Sequence, residues 1–133
     1  LAPDVRIIGL SMEYGAAMYE SIKQGHPVEV EESPSLADSL GGGVGLNNRY
    51  TFGIVRDLVD EVRTVSESQI AEAMRYLYQH EGWVAEGGGA IGLAPLLQDL
   101  DLPLGKHIAV VISGKNVDMG VFSRVMSGEA VYP

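Results

Sequence analysis

The sequence predicts an α/β fold built on a parallel sheet. Three observations predict it. Runs of strand length stand at Val5–Leu10, Asp60–Val65 and Ile108–Ile112. Helical stretches with their own start and stop signals fall between them. The last run is apolar on both faces, as a central parallel strand should be. Strand, helix, strand, helix, strand is the order that right-handed crossovers require. In such sheets ligands bind beyond the carboxyl ends of the strands, so the turn after the third run is the first place to look.

The elements follow in order. Val5–Leu10 opens the sheet. Ala16–Ile22 reads as a helix, stopped by Gly25 and Pro27. Residues 28–49 keep no sustained period and hold Pro34, the acidic stretch Glu29–Glu32 and the run Gly41-Gly42-Gly43-Val44-Gly45. A loop of that length is longer than compact domains usually carry without a function. A short helix is expected over Phe52–Leu58, then a second buried strand over Asp60–Val65. Ser66 is a helix N-cap, and Gln69 stands at the capping-box spacing behind it. Ile70, Ala73, Met74, Leu77 and Tyr78 recur at three and four, which makes one helix face, and Gly82 ends it. Trp83-Val84-Ala85 is a short link. Gly87–Gly89 leads into a small-residue helix from about Ala90 to Leu97. After the third strand, Val121–Met126 reads as a helical tail. No internal repeat is evident.

Composition bounds the answer. The chain has 133 residues, one domain's worth. Its apolar runs are too short to span a bilayer. No secretory signal opens it. Eighteen carboxylates against nine Lys plus Arg leave a formal charge of -9. The few basic residues are scattered, so nucleic acid is not an expected partner. With no cysteine, disulfides, thiolate nucleophiles and Cys-ligated metals are excluded, and a cytoplasmic location fits.

Several motifs admit two readings. Ser113-Gly114-Lys115-Asn116 is either an ordinary strand-to-loop turn or a ligand contact through the serine hydroxyl, with Gly114 allowing close approach. Glu86-Gly87-Gly88-Gly89-Ala90 is either an anion site at a helix start or close packing of a helix on a strand. Gly41–Gly45 has no strand before it and no Lys-Ser/Thr pair after it, so it reads as a connector rather than a phosphate loop. His26, His80 and His107 are dispersed, and His80 reads as a partner of its helix dipole. No Gly-x-Ser-x-Gly elbow occurs.

Three motifs in order carry a resemblance. They are Ser35-Leu36-Ala37-Asp38-Ser39-Leu40, Glu86-Gly87-Gly88-Gly89-Ala90 and Ile112-Ser113-Gly114-Lys115-Asn116-Val117-Asp118. Together they resemble the threonine dehydratase and serine racemase family of fold-type II pyridoxal phosphate enzymes. There the series reads T-I-A-D-G, E-x-x-G-A and S-G-G-N-x-D. The opening Ile7-Ile8-Gly9-Leu10, and the stretch from Asp57 to Met74, are similar to that family as well. The run Ala37–Gly43 and Ser113–Asn116 are most similar to the dehydratases of hydroxyectoine utilisation.

The resemblance implies a three-layer, parallel-sheet fragment of a tryptophan-synthase-β-like large domain. Residues 1–133 would be its C-terminal part. Ser113 would hydrogen-bond the pyridine nitrogen of pyridoxal phosphate, and Glu86 would lie near the ring. Gly114 would let the backbone approach. Ser39 stands where the family has a glycine facing the cofactor. Ser11 falls where the family has a metal-binding glutamate, with Glu13 close by, and no metal site is assigned. The family's Schiff-base lysine lies in an S-x-K-x-R-G stretch that does not occur here, and its S-G-G-G-L phosphate loop precedes the first strand. No catalytic residue is therefore assigned in this chain.

The expected parent is a longer pyridoxal phosphate lyase, a dehydratase or ammonia-lyase. It would act by β-elimination on a threonine- or serine-like or hydroxyectoine-derived substrate, as a homodimer. The chain alone is expected to be inactive. The alternatives are a non-catalytic small-molecule-binding α/β domain and, from a third class, a self-associating scaffold.

Overall fold

Ile8–Met12 (β1) and Glu61–Val65 (β2) pair in parallel, in register from Ile8 opposite Glu61 to Met12 opposite Val65. The computed structural model describes residues 4–98 and 105–132. The pair is locked at its entrance, where the Ile7 carbonyl accepts from the N–H of Asp60 (3.0 Å) and the Ile7 N–H donates to the Asp60 carboxylate (2.7 Å). β1 therefore begins three residues later than its apolar run suggests, and Val5 and Ile7 stay exposed.

Ala17–Gln24 (α1) closes on Gly25, whose positive φ of 77° provides the left-handed cap. Thr51–Leu58 (α2) follows the long loop, and α1 packs against α2 and β2. Within the loop the only helical turn among the described residues is a 3-10 turn at Asp38–Leu40. Glu67–Glu81 (α3) is the central helix. Ser66 accepts from the Gln69 N–H, and the Gln69 side chain accepts from the Ser66 N–H, so the expected capping box forms in full. One face of α3 buries Ile70, Ala73, Met74 and Leu77 against Gly87–Ala90 (α4), Ala94–Leu97 (α5) and Met119–Met126 (α6). Met12 and Val65, at the ends of the two strands, complete that core. Tyr78, expected on the apolar face, is half exposed and meets Phe122 edge-on at 5.3 Å. His80 stacks on Tyr76 at 4.4 Å.

Three expectations need correction. The glycine triplet does not lead into the helix; it is the helix, because α4 begins at Gly87 and passes through a 3-10 turn at Ile91–Leu93 into α5. β2 is not a buried strand: only Val65 is buried, and its other four residues are half-buried. Its polar side chains are met locally, the Glu61 carboxylate accepting from Arg6 (2.8 Å) and from Arg63. The third run, Ile108–Ile112, forms no ladder, and the sheet of the described residues has two strands. Its backbone alternates, with Val110, Ile112 and Gly114 half-buried and Val111 80% exposed. A strand needs a neighbour's N–H and C=O groups, and neither β1 nor β2 pairs with this run.

Candidate functional site

Three segments that are far apart in sequence meet on α4. Glu86 is its N-cap residue, and both its backbone and its side chain hold the turn after the third apolar run. The Glu86 N–H donates to the Gly114 carbonyl (3.1 Å), and the Glu86 carboxylate accepts from the Asn116 N–H (3.0 Å). A Cβ built on Gly114 would strike that carboxylate. From the other side, a Cβ on Gly89 would lie 2.6 Å from both the N and the O of Gly114. The two backbones touch because neither residue has a side chain.

The loop 35–40 covers the same helix. A Cβ on Gly87 would collide with the Leu36 carbonyl, and one on Gly88 with the Ser39 hydroxyl. Gly87 and Gly88 thus give way to the loop 35–40, and Gly89 to the turn at Gly114. Of the two readings left open for Glu86–Ala90, the geometry realises close packing, though against loops and not against a strand.

Ser39, Glu86, Ser113 and Gly114 are therefore brought together around α4. Ser39 and Ser113 are exposed, and Glu86 and Gly114 are half-buried. The donor set is two neutral hydroxyls, backbone groups and one carboxylate already used by a backbone N–H. Gly41–Gly45 lies apart from a helix start, with positive φ at Gly42 and Gly45, as a connector. The Ser11 hydroxyl donates to the thioether of Met12 (3.4 Å). No three His, Asp or Glu side chains converge on a metal-sized site among the described residues. None of the described helices is long and apolar enough to cross a membrane.

One functional contact was not visible in the sequence. Glu67, legible only as an acid in the first turn of α3, turns its carboxylate away from its own helix. It accepts from the Ser35 hydroxyl (2.5 Å) and from the Leu36 N–H (2.8 Å). The partners are 32 and 31 residues apart, so no local spacing marks them. The anchor borders an open cleft of about 420 Å³ beyond the carboxyl ends of β1 and β2, lined by Tyr14, Leu36, Glu67, Arg75 and Tyr132 among others.

Comparison with known proteins gives a consistent result. The sequence profile of the family described as pyridoxal-phosphate dependent enzyme matches residues 1–114. A Sinorhizobium fredii protein whose name provisionally makes it a threonine dehydratase is 49% identical over 128 residues, 96% of this chain and 39% of that protein. L-threonine ammonia-lyase of Thermotoga maritima is 38% identical over 125 residues, 94% of this chain and 30% of that enzyme. The structure of maize serine racemase is similar with a TM-score of 0.78 at 30% identity, over 95% of this chain and 39% of that one. The chain thus spans less than half the length of each of these relatives.

Proposed function

The chain belongs to the family of pyridoxal-phosphate dependent enzymes, and on that premise we propose that it supplies one wall of the cofactor site of a lyase. The whole protein would eliminate water, with release of ammonia, from an amino acid carrying a hydroxyl group. A threonine- or serine-like substrate is proposed, and the threonine form is supported by what the Sinorhizobium and Thermotoga relatives are named for. A hydroxyectoine-derived substrate is the finer form of the proposal, supported by the Ala37–Gly43 run and Ser113–Asn116. The parent is proposed to be a cytoplasmic homodimer, of which residues 1–133 form a C-terminal part of the large domain.

The observation that carries this reading is the clamp of Glu86 on the Ser113–Asn116 turn. It holds the turn that carries Ser113, a neutral hydroxyl residue, against α4, with no cation among the four candidate residues. That set fits the ring end of pyridoxal phosphate. Nothing in it suits the phosphate, which would be held elsewhere in the whole protein. When bound, the cofactor supplies an electron-withdrawing ring that stabilises the charge left on the substrate's α-carbon.

The residues of this chain have three tasks. Ser113 offers an uncharged partner to the ring nitrogen, which keeps the ring a moderate electron sink suited to elimination. Glu86 spends its carboxylate on the Asn116 N–H, and so holds the Ser113 turn in place. Gly114 keeps that turn flush with α4.

The test uses the whole protein of which this chain is part, supplied with pyridoxal phosphate. Visible absorbance of bound cofactor and turnover of threonine, serine or a hydroxyectoine-derived amino acid are expected. The 133-residue chain alone should show neither. Ser113→Ala should lower kcat/KM roughly five- to tenfold, the worth of one hydrogen bond of about 1 kcal/mol. Absence of cofactor uptake by the whole protein, or robust turnover by the isolated chain, rejects the assignment.

A further inference from the structure

We propose that Glu67 and Ser35 are positioning residues, a half-buried anchor that sets the loop 35–40 against α4. The inference rests on the site reading above. Its own evidence is geometric.

Glu67 opens α3, the helix whose burial defines the core. Both of its carboxylate oxygens are committed to the loop, one to the Ser35 hydroxyl at 2.5 Å and the other to the Leu36 N–H at 2.8 Å. The Ser35 oxygen in turn accepts from the Ala37 N–H at 3.0 Å. Two successive residues are thus tied to the Glu67 carboxylate, and a third is tied to it through the Ser35 hydroxyl. Ser35 is 5% exposed, Leu36 7% and Ala37 0%. By contrast the flanking stretches, 28–34 and 41–49, contain no helix or strand. Hydrogen bonds to a carboxylate are about twice as strong as neutral ones, and buried donors stripped of an acceptor are costly. The anchor is therefore a stiff point in a long loop.

What it fixes is the far end of that loop. The Leu36 carbonyl occupies the space a side chain on Gly87 would need, and the Ser39 hydroxyl that of one on Gly88. A shift of the loop would move both along the glycine face, and Ser39 is the loop's candidate for meeting cofactor or substrate. Glu67 and Ser35 touch neither; they act through Leu36, Ala37 and Ser39.

The experiment compares wild type, Ser35→Ala, Glu67→Ala and Ser35→Thr in the whole protein loaded with pyridoxal phosphate. Threonine keeps the hydroxyl and is the residue of the T-I-A-D-G pattern. Three readouts are taken: hydrogen exchange at the amides of 36 and 37, visible absorbance of the bound cofactor, and kcat and KM separately. Exchange at 36 should rise in Glu67→Ala and exchange at 37 in Ser35→Ala, because each variant removes the acceptor of that amide, by about five- to tenfold, the expected order for losing a hydrogen bond worth about 1 kcal/mol. The cofactor absorbance should change, and kcat should fall about ten- to a hundredfold, as misplacement of a site by an ångström does. KM should change far less, and Ser35→Thr should restore all three. Unchanged exchange overturns the anchor. Faster exchange with wild-type absorbance and kcat overturns the positioning role and leaves a merely structural contact. A wild-type protein that takes up no cofactor sinks the functional reading instead, and the exchange rates then decide the anchor by themselves.

Discussion

Two extended segments of this chain contradict their own composition. Glu61–Val65 carries a glutamate, an arginine and a threonine in five positions, yet it is β2, bonded to β1 along its whole length. Ile108–Ile112 is apolar at every position, yet it has no ladder, and Val111 is among the most exposed apolar side chains described. The difference lies in neighbours. β2 has β1 beside it, and its charges are answered by Arg6 and Arg63. The apolar segment is held at its end, where Gly114 rests on Gly89 and Asn116 bonds to Glu86, and along its flank, where Val110 crosses Gly92. Strand character is a property of a pair, and a sequence run states only that it would suit one.

The comparison can be broken most strongly at the end contact. Gly89→Ala places a methyl group 2.6 Å from two backbone atoms of Gly114, where no flexible side chain can yield. It should cost about 1–3 kcal/mol, the range for overpacking. It should also raise hydrogen exchange over 113–116 while leaving β2 protected. A cost near zero, measured by denaturant unfolding, would show that the two backbones are not in contact.

A smaller effect is expected on the paired side, where β2 passes directly into α3. Ser66→Ala removes half of the capping box and should lower stability by about 1 kcal/mol. The loss should fall on α3 and β2 alike, and exchange at 109–112 should not change. Equal sensitivity of 109–112 would mean that the two segments are coupled after all.

The smallest effect concerns the charges that let β2 remain a strand. The Glu61 carboxyl is held below its ordinary value, chiefly by the hydrogen bond from Arg63, with Arg6 adding to it. A lowered folded-state value means that its contribution is present above the ordinary carboxylate range and is lost as pH falls through that lowered value. The gap in melting temperature between wild type and Glu61→Gln should therefore narrow on acidification. A gap that stays constant with pH would show that the carboxylate charge contributes nothing.

Much of the fold was legible because its signals are local. The Ser66–Gln69 spacing, the three-and-four recurrence from Ile70 to Leu77 and the stop at Gly82 each act within a turn or two of helix, so α3 could be placed to the residue. The order of the motifs around Ser39, Glu86 and Ser113 likewise sufficed to indicate the family. The Glu67–Ser35 anchor was not legible, since a first-turn glutamate has a sufficient local explanation in the helix dipole. Nor could spacing say that Gly87 and Gly88 yield to the loop 35–40 and Gly89 to Gly114, because a glycine records the absence of a side chain and not the identity of what fills the space.

The sequence by itself determined where α3 begins and ends, that β1 and β2 would run parallel, and which family the chain resembles. These depend on short-range backbone chemistry and on the pattern of residue types. Only the tertiary structure decided which extended segments pair, that Glu86 is spent on holding a turn, and that Glu67 reaches across more than thirty residues to fix the loop over α4. Hydrogen-bond partners and steric gaps of this kind exist only once distant stretches of chain have been brought within a few ångströms of one another.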